Sequence, residues 1–171
     1  MFREMRRNKQ ALTEQECLEV LHRGTSGVLA VAGDDGYPYA VPLSYAYQDG
    51  SIYFHGAITG HKVDAIDNCS KVSFCVIDRD EVVPEKLTTV YRSVIVFGRA
   101  RVLDDERKIA QAARILGEKY LVKHIGRDAV EQEITREMPR LAVIRLDIEH
   151  MTGKEGVELV AQKKPELFDG D

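Results

Sequence analysis

Residues 37–62 read YPYAVPLSYAYQDGSIYFHGAITGHK, and the first half of the stretch alternates large residues with small ones. Tyr37, Tyr39, Val41, Leu43, Tyr45 and Tyr47 fall on one face of a strand, whereas Pro38, Ala40, Pro42, Ser44 and Ala46 fall on the other. One face is bulky and its reverse is nearly flat. Proline brings no backbone donor, so two on the small face predict a ladder that is irregular there or faces something other than a strand. That combination offers a planar polar ligand both room and unpaired backbone groups. Gln48, Asp49 and Gly50 supply a turn, residues 51–55 a second strand, and residues 56–62 the opening of a short helix. Free amides at a helix start, the Thr59 hydroxyl and the Lys62 cation compose an anion site. A flat ring beside a phosphate is the outline of a nucleotide-like cofactor.

Upstream, Thr13 followed by Glu16 is a capping box, Cys17, Leu18, Val20 and Leu21 are spaced as a helix face, and Gly24 is placed to end the helix. Residues 28–32 are a short apolar run closed by Gly33, Asp34, Asp35 and Gly36, which reads as a buried strand and a hairpin turn. Downstream, Val63 and Ile66 continue the short helix to Asp67 and Asn68, and residues 71–77 form a strand with Val72, Phe74 and Val76 on one side. Residues 78–89 mix charge with Pro84 and show no period, so a loop is expected, as a lid or a partner contact. Residues 91–103, YRSVIVFGRARVL, are the longest strand signal, with Gly98 marking a bulge or a close approach. Asp104 or Asp105 caps a helix through Tyr120, and a second helical stretch over 127–138 stops at Pro139. These two are expected as a helical hairpin on the outside of the sheet. Residues 141–149 alternate as the last strand, residues 150–156 read as a polar turn, and the rest is a mostly polar tail.

About six strands separated mainly by tight turns, with helices inserted late, predict a mainly β fold with attached helices, built as a closed or nearly closed antiparallel barrel. An open ferredoxin-like sheet would need helices between earlier strands. No G-x-G-x-x-G or Walker motif is present, so a Rossmann or P-loop reading has no support.

The 171 residues fit a single domain, 1–171, with residues 1–12 and 161–171 as peripheral tails. A hydrophobic fraction of 44% and a charged fraction of 30% are those of a soluble globular protein, and no apolar run approaches the ~20 residues needed to span a bilayer. The basic N-terminus MFREMRRNKQ is followed by no apolar h-region, so it reads as neither a secretory signal nor an anchor, and the cytoplasm is the expected location. A net charge of −4 with interspersed signs supplies no basic stripe for nucleic acid. Cys17, Cys69 and Cys75 leave one thiol unpaired whatever else happens, and free thiols fit best. A zinc site built from His55, His61, Cys69 and Cys75 matches no common structural zinc spacing, so no metal is expected.

The succession GTSGVLAV, GYPYAVPLSYAY, IYFHGAITGHK, KVSFCV, SVIVFGRARVL and MTGKEG resembles the FMN-binding split-barrel superfamily of pyridoxamine 5'-phosphate oxidase, and within it the nitroimidazole-resistance-type branch. The similarity runs over residues 13–160, and the ordered series carries it rather than any one motif. It implies an antiparallel six-stranded split β-barrel that holds one FMN per subunit at the interface of a homodimer. It places Val41, Pro42, Leu43 and Ser44 beside the isoalloxazine ring, and His55, Ala57, His61 and Lys62 around the ribityl phosphate. Ser93 and Val94 are expected near the flavin, with Thr152, Gly153 and Lys154 reaching it from the same or the partner subunit.

One departure from the family pattern matters. The true pyridoxamine phosphate oxidases carry a basic, histidine-containing C-terminal motif that grips the substrate phosphate, whereas the last strand here reads RLAVIRLDIEHMTGKEG. The resemblance therefore implies an FMN-dependent oxidoreductase that passes electrons from NADH, NADPH or another donor to a small acceptor, with a nitroaromatic as the candidate. The alternatives are a flavin- or haem-binding barrel without turnover, and a partner-binding barrel with an empty pocket. No residue is required as a general acid or base. Each candidate also has an ordinary reading: Lys62 as a solvated helix lysine, His55 and His61 as surface or capping residues, the tyrosines as barrel packing, and Cys75 as a small buried hydrophobe.

Overall fold

The first helix, α1 (Glu14–Arg23), starts on the expected capping box: Glu16 N donates to the Thr13 hydroxyl and Thr13 N donates to the Glu16 carboxylate. It buries Cys17, Val20 and Leu21, and it ends at Gly24, whose N–H still bonds to the Val20 carbonyl while its own backbone turns extended; the site admits no larger residue. A Cβ there would lie 2.6 Å from the Tyr45 hydroxyl, which donates to the Leu21 carbonyl at 2.9 Å. This computed structural model describes residues 2–167. Of the two terminal segments expected as tails, Met1 and residues 168–171 lie outside the described residues.

The strands β1 (Ser26–Ala32), β2 (Pro38–Ser44), β3 (Ala46–Gln48) and β4 (Ser51–Gly56) are followed by α2 (His61–Asn68). Then come β5 (Lys71–Val83), β6 (Thr88–Val102), the helices α3 (Glu106–Tyr120), α4 (Val122–Ile125) and α5 (Arg127–Glu137), β7 (Ala142–Glu155) and α6 (Val157–Lys163). All seven strands form one antiparallel sheet in the order β2-β1-β5-β6-β7-β4-β3. Six strands were expected. The seventh arises because the strand foreseen over residues 37–47 breaks at Tyr45, leaving β2 on one edge of the sheet and β3 on the other.

That break fixes the shape. Two peptide steps span at most about 7.6 Å, so Ser44 and Ala46 hold opposite edges of a seven-stranded sheet within one side chain's reach of each other. The sheet must roll up to allow it. Among the described residues no ladder joins β2 to β3 or β4, so the roll is split rather than closed. Its interior holds Leu29, Ile52, Phe54, Phe74, Val96 and Leu146, each fully buried and worth about 1.5–3 kcal/mol of hydrophobic stabilisation. Val20 and Leu21 of α1 plug one end.

Two expectations need correction, and both fail for one reason. Residues 78–89 are not a loop: β5 and β6 continue as a two-stranded arm to a turn at Pro84–Lys86. The ladder shifts register between Ile77 and Arg79, so Asp78 is an extra residue that reverses the alternation beyond it. Residues 150–156 are not a turn either. β7 runs to Glu155, with Glu149 as the extra residue opposite Phe97 and Gly98. Gly98 does sit at this bulge, and the backbone approaches closely too, since a Cβ there would lie 2.1 Å from the Asp147 carbonyl.

The expected helical hairpin is present, with Asp105 capping α3 through a 2.9 Å bond from Lys108 N. It packs outside the sheet, with Ile109 and Ala112 of α3 against Leu103 and Val143. The helix α6, absent from the sequence reading, completes a line of ion pairs across the other side. Arg23 to Asp78 is 2.6 Å, Asp78 to Arg92 3.3 Å, Arg92 to Glu155 3.0 Å, Glu155 to Lys163 2.8 Å and Lys163 to Glu16 2.5 Å. The N-terminal segment lies along β7, where Leu12 N donates to the Gly153 carbonyl at 3.0 Å and Phe2 stacks on His150. Among the described residues no helix is long and apolar enough to cross a membrane.

Candidate functional site

Along β2, Tyr39, Val41 and Leu43 pack against the core, while Pro38, Ala40, Pro42 and Ser44 are exposed. The bulky and flat faces expected from the alternation are both there. Pro38 and Pro42 are tolerated because β2 is an edge strand with β1 as its one partner. Of the four residues expected beside a planar ring, Pro42 and Ser44 therefore offer side chains, and Val41 and Leu43 offer backbone.

At the far end of β4, His55 is exposed and the chain turns through Gly56 and Ala57 towards α2. Gly60 begins the helix at φ 131°, in the region that favours glycine, and its carbonyl accepts from Val63 N at 2.8 Å and Asp64 N at 3.1 Å. The amides of His61 and Lys62 precede the first intrahelical bond and have no partner within the helix. Lys62 folds back over the strand end: its Cε and Nζ come within 3.2 and 3.3 Å of where a Cβ on Gly56 would be. Gly56 is thus the cradle for this side chain. Among the described residues the Lys62 ammonium has neither an ion pair nor a hydrogen bond. His61 turns the other way, stacking on Tyr39 with centroids 4.1 Å apart and placing Nε2 3.5 Å from the Asp34 carboxylate.

The remaining predicted residues sit elsewhere on the barrel. Ser93 pairs with Lys154, and Ile95 with Thr152, on the outer face of β6 and β7. Val94 turns inward and is fully buried, leaving only its backbone beside Gly153. Pro42, Val28, Cys75, Ile95 and Thr152 form one directly paired row across five strands of this outer face. Four strand spacings put Pro42 and Thr152 about 19 Å apart along the sheet. Ser44, His55 and Gly56 line one cleft at the seam and Lys62 folds over Gly56, with Ala57 next in the chain and Pro42 two residues up β2 from Ser44; Ser93, Thr152 and Lys154 do not join them.

Beside that seam, Ser44, His55 and Gly56 form one wall of a cleft of about 590 Å³ whose other wall is the helical hairpin. The helical residues of this wall, Tyr120 and Leu116 among them, were not expected from the sequence. They lie on helices far along the chain and carry no local motif; the one available signal was apolar positions on α3 and α5 beyond those needed to cover the sheet. Burial pushes the Cys75 thiol above its usual range, away from nucleophilic use. Among the described residues no group of three His, Cys, Asp or Glu side chains is placed to hold a metal ion.

The fold is thus a small split barrel made by rolling up one antiparallel sheet, with an unpartnered lysine at a helix start on its seam. The chain belongs to the pyridoxamine 5'-phosphate oxidase family, whose profile matches residues 13–155, as the ordered motifs implied. No curated protein matches it. Among solved structures it is similar to an FAD-binding protein from Mesorhizobium loti, with 28% identity over 86% of this chain and 97% of that one and a TM-score of 0.61. A protein from Bacteroides thetaiotaomicron named for 5-nitroimidazole antibiotic resistance shares the fold at 17% identity, with 85% and 86% of the two chains covered and a TM-score of 0.69. So does an FAD- and haem-binding protein from Mycobacterium smegmatis, at 18% identity, 87% and 74% coverage and a TM-score of 0.69.

Proposed function

We propose that the protein is a flavoprotein that holds FMN at the seam and acts as an oxidoreductase on a small acceptor, a nitroaromatic being the candidate. The observation that carries this reading is the Lys62 ammonium, unpartnered and cradled over Gly56 beside free helix-start amides. Buried or half-buried cations without partners are rare, and this one has the surroundings of a phosphate site. The exposed flat face of Pro42 and Ser44 lies on the same seam and suits a planar ring. The FAD-binding relative from Mesorhizobium loti supports a flavin in this barrel.

A bound flavin would supply two-electron exchange between a donor such as NADH or NADPH and the acceptor. The chain's own residues do the holding. Lys62 and the amides of His61 and Lys62 neutralise the phosphate, Ser44 and the backbone of Val41 to Leu43 meet the ring, and His55 closes the end of β4.

The protein acts in this reading as a homodimer. Ser93, Thr152 and Lys154 are too far from the seam to meet the same ring within one chain, so they reach the flavin of the partner subunit. The exposed Val28, Ile77 and Ile95 give that face the apolar character of an interface.

The test is reconstitution of the purified protein with FMN, FAD or haem, followed by anaerobic addition of NADH or NADPH. An oxidised-flavin spectrum that bleaches with donor and recovers with a nitroaromatic supports the proposal. A colourless protein that refuses FMN sinks it, a Soret band replaces it with haem binding, and an unbleachable flavin leaves a binder in place of an enzyme.

A further inference from the structure

The cleft between the seam and the helical hairpin has two chemically different parts. Its helical wall is apolar, with Leu116, Val130 and Ile134 nearly buried and Ala113 and Leu141 beside them. Gly117 lets the two helices close behind that wall, since a Cβ there would lie 2.6 Å from a Val130 methyl. The rim carries charge that is already spoken for. Arg140 grips Glu137 through two bonds of 2.6 and 2.5 Å, and Arg136 holds Glu133 at 2.6 Å. Among the described residues that line the cleft, Arg140 is the one lysine or arginine and it is paired, while the free Lys62 ammonium lies behind Gly56, at the place assigned above to the phosphate.

A volume of about 590 Å³ falls within the range of small-molecule sites, and the opposite wall is Ser44 and His55 of the seam. We propose that this cleft is the acceptor subsite, and that it takes a neutral, largely apolar ring compound and rejects the same ring when it carries a negative charge. Apolar surface entering the cleft leaves water for matching surface. A carboxylate or sulfonate entering it loses its hydration and meets Glu133 and Glu137 on the lining rather than an unpaired lysine or arginine there. The placement beside Ser44 brings the ring next to the face assigned above to the flavin. This inference rests on the flavin reading for the word acceptor, but not for the binding itself.

The test uses the full chain and two probes of one shape, neutral 4-nitrobenzyl alcohol and anionic 4-nitrobenzoate, with affinities from titration of the methyl NMR signals of Leu116 and Ile134. The neutral probe is expected to bind at least about tenfold more tightly, the equivalent of losing one uncompensated polar burial. Ala113→Phe, which fills the cleft from α3, should weaken the neutral probe at least about tenfold while flavin content and melting temperature hold. Glu133→Lys, on an exposed side chain at the rim, should narrow the gap between the two probes and guards against a folding failure of the first variant. Equal binding of the two probes overturns the proposal, as does an Ala113→Phe variant that binds the neutral probe normally. Loss of flavin together with the probe in Ala113→Phe also overturns it, because the flavin ring would then occupy the cleft. A protein that takes no flavin but still binds the neutral probe, and loses it in Ala113→Phe, supports the cleft and sinks the flavin reading alone.

Discussion

The hydroxyl of Tyr120 stands 2.6 Å from the Tyr45 carbonyl and 3.1 Å from the Tyr45 amide, so one phenol serves both backbone groups of one residue. Tyr45 is where the chain leaves one edge of the sheet for the other, and neither edge can pair it. The phenol of α3 replaces the missing ladder, and its single proton is shared with the Thr25 carbonyl 2.5 Å away. Lys119 adds a bond to the Gly24 carbonyl at 2.5 Å and lies 4.2 Å from the Tyr45 ring centroid. The end of α3 is therefore the clasp that holds the split.

Tyr120→Phe should cost about 1–3 kcal/mol, because it strands the Tyr45 amide and carbonyl at a part-buried site. Urea unfolding followed by circular dichroism measures this. A change within error would mean that water serves the two groups equally well.

The line of ion pairs makes the fold sensitive to acid. A hydrogen bond from Arg23 holds the Asp78 carboxyl below its ordinary 3.8. Burial alone would raise Glu16, but its bonds to Lys163 and Thr13 outweigh that and bring it from 4.5 to about 2. Both carboxyls are depressed in the folded state, so the unfolded chain binds more protons as pH falls. The Glu16 contribution is complete above pH 4.5 and is lost towards pH 2, and that of Asp78 is likewise lost as acid carries the pH below its ordinary 3.8. Glu16→Gln should flatten the melting-temperature profile in that window, and Asp78→Asn should cost about 2–3 kcal/mol at neutral pH by leaving two guanidinium groups facing each other. A parallel profile for Glu16→Gln would remove Glu16 from the acid response.

Gly153 is where β7 passes under the first helix. A Cβ there would lie 2.4 Å from the Cys17 sulfur and 2.7 Å from a Leu12 methyl. Gly153→Ala should destabilise by about 1–3 kcal/mol through overpacking, and Cys17→Ala in the same chain should recover part of it. Strict additivity in that double-mutant cycle would place the strain elsewhere.

Lys62→Ala should weaken FMN binding by about 10–100-fold, the worth of one charge-assisted hydrogen bond, with the melting temperature of the flavin-free protein unchanged. Riboflavin, which lacks the phosphate, is the control, and its affinity should not move. Equal losses for FMN and riboflavin would show that Lys62 meets the ring and not the phosphate.

The alternation over residues 37–44 and the glycines and lysine of residues 56–62 were legible because each follows from the local geometry of a strand or a helix start. The break at Tyr45 was not, since alternation of large and small continues through it and the residue that decides it lies 75 positions away. Asp78 and Glu149 each hid several residues of strand, because one extra residue inverts the inside-outside pattern that marks a strand in sequence. Val94 was placed near the ligand by family likeness, but its own burial turns the side chain inward. The cleft wall was invisible for a simpler reason: apolar residues of α3 and α5 look the same whether they face a sheet or a ligand.

The pairing of β4 with β7 has a consequence for synthesis. Ser51 bonds to Asp147, 96 positions later, so β4 and the short strand beside it wait on the ribosome with no permanent neighbour until nearly the whole chain has emerged. Meanwhile the β1–β2 hairpin can form at once. A translating chain thus carries a bare strand edge for most of its birth, and stalled or truncated products ending before Ala142 should be the ones that chaperones and proteases find.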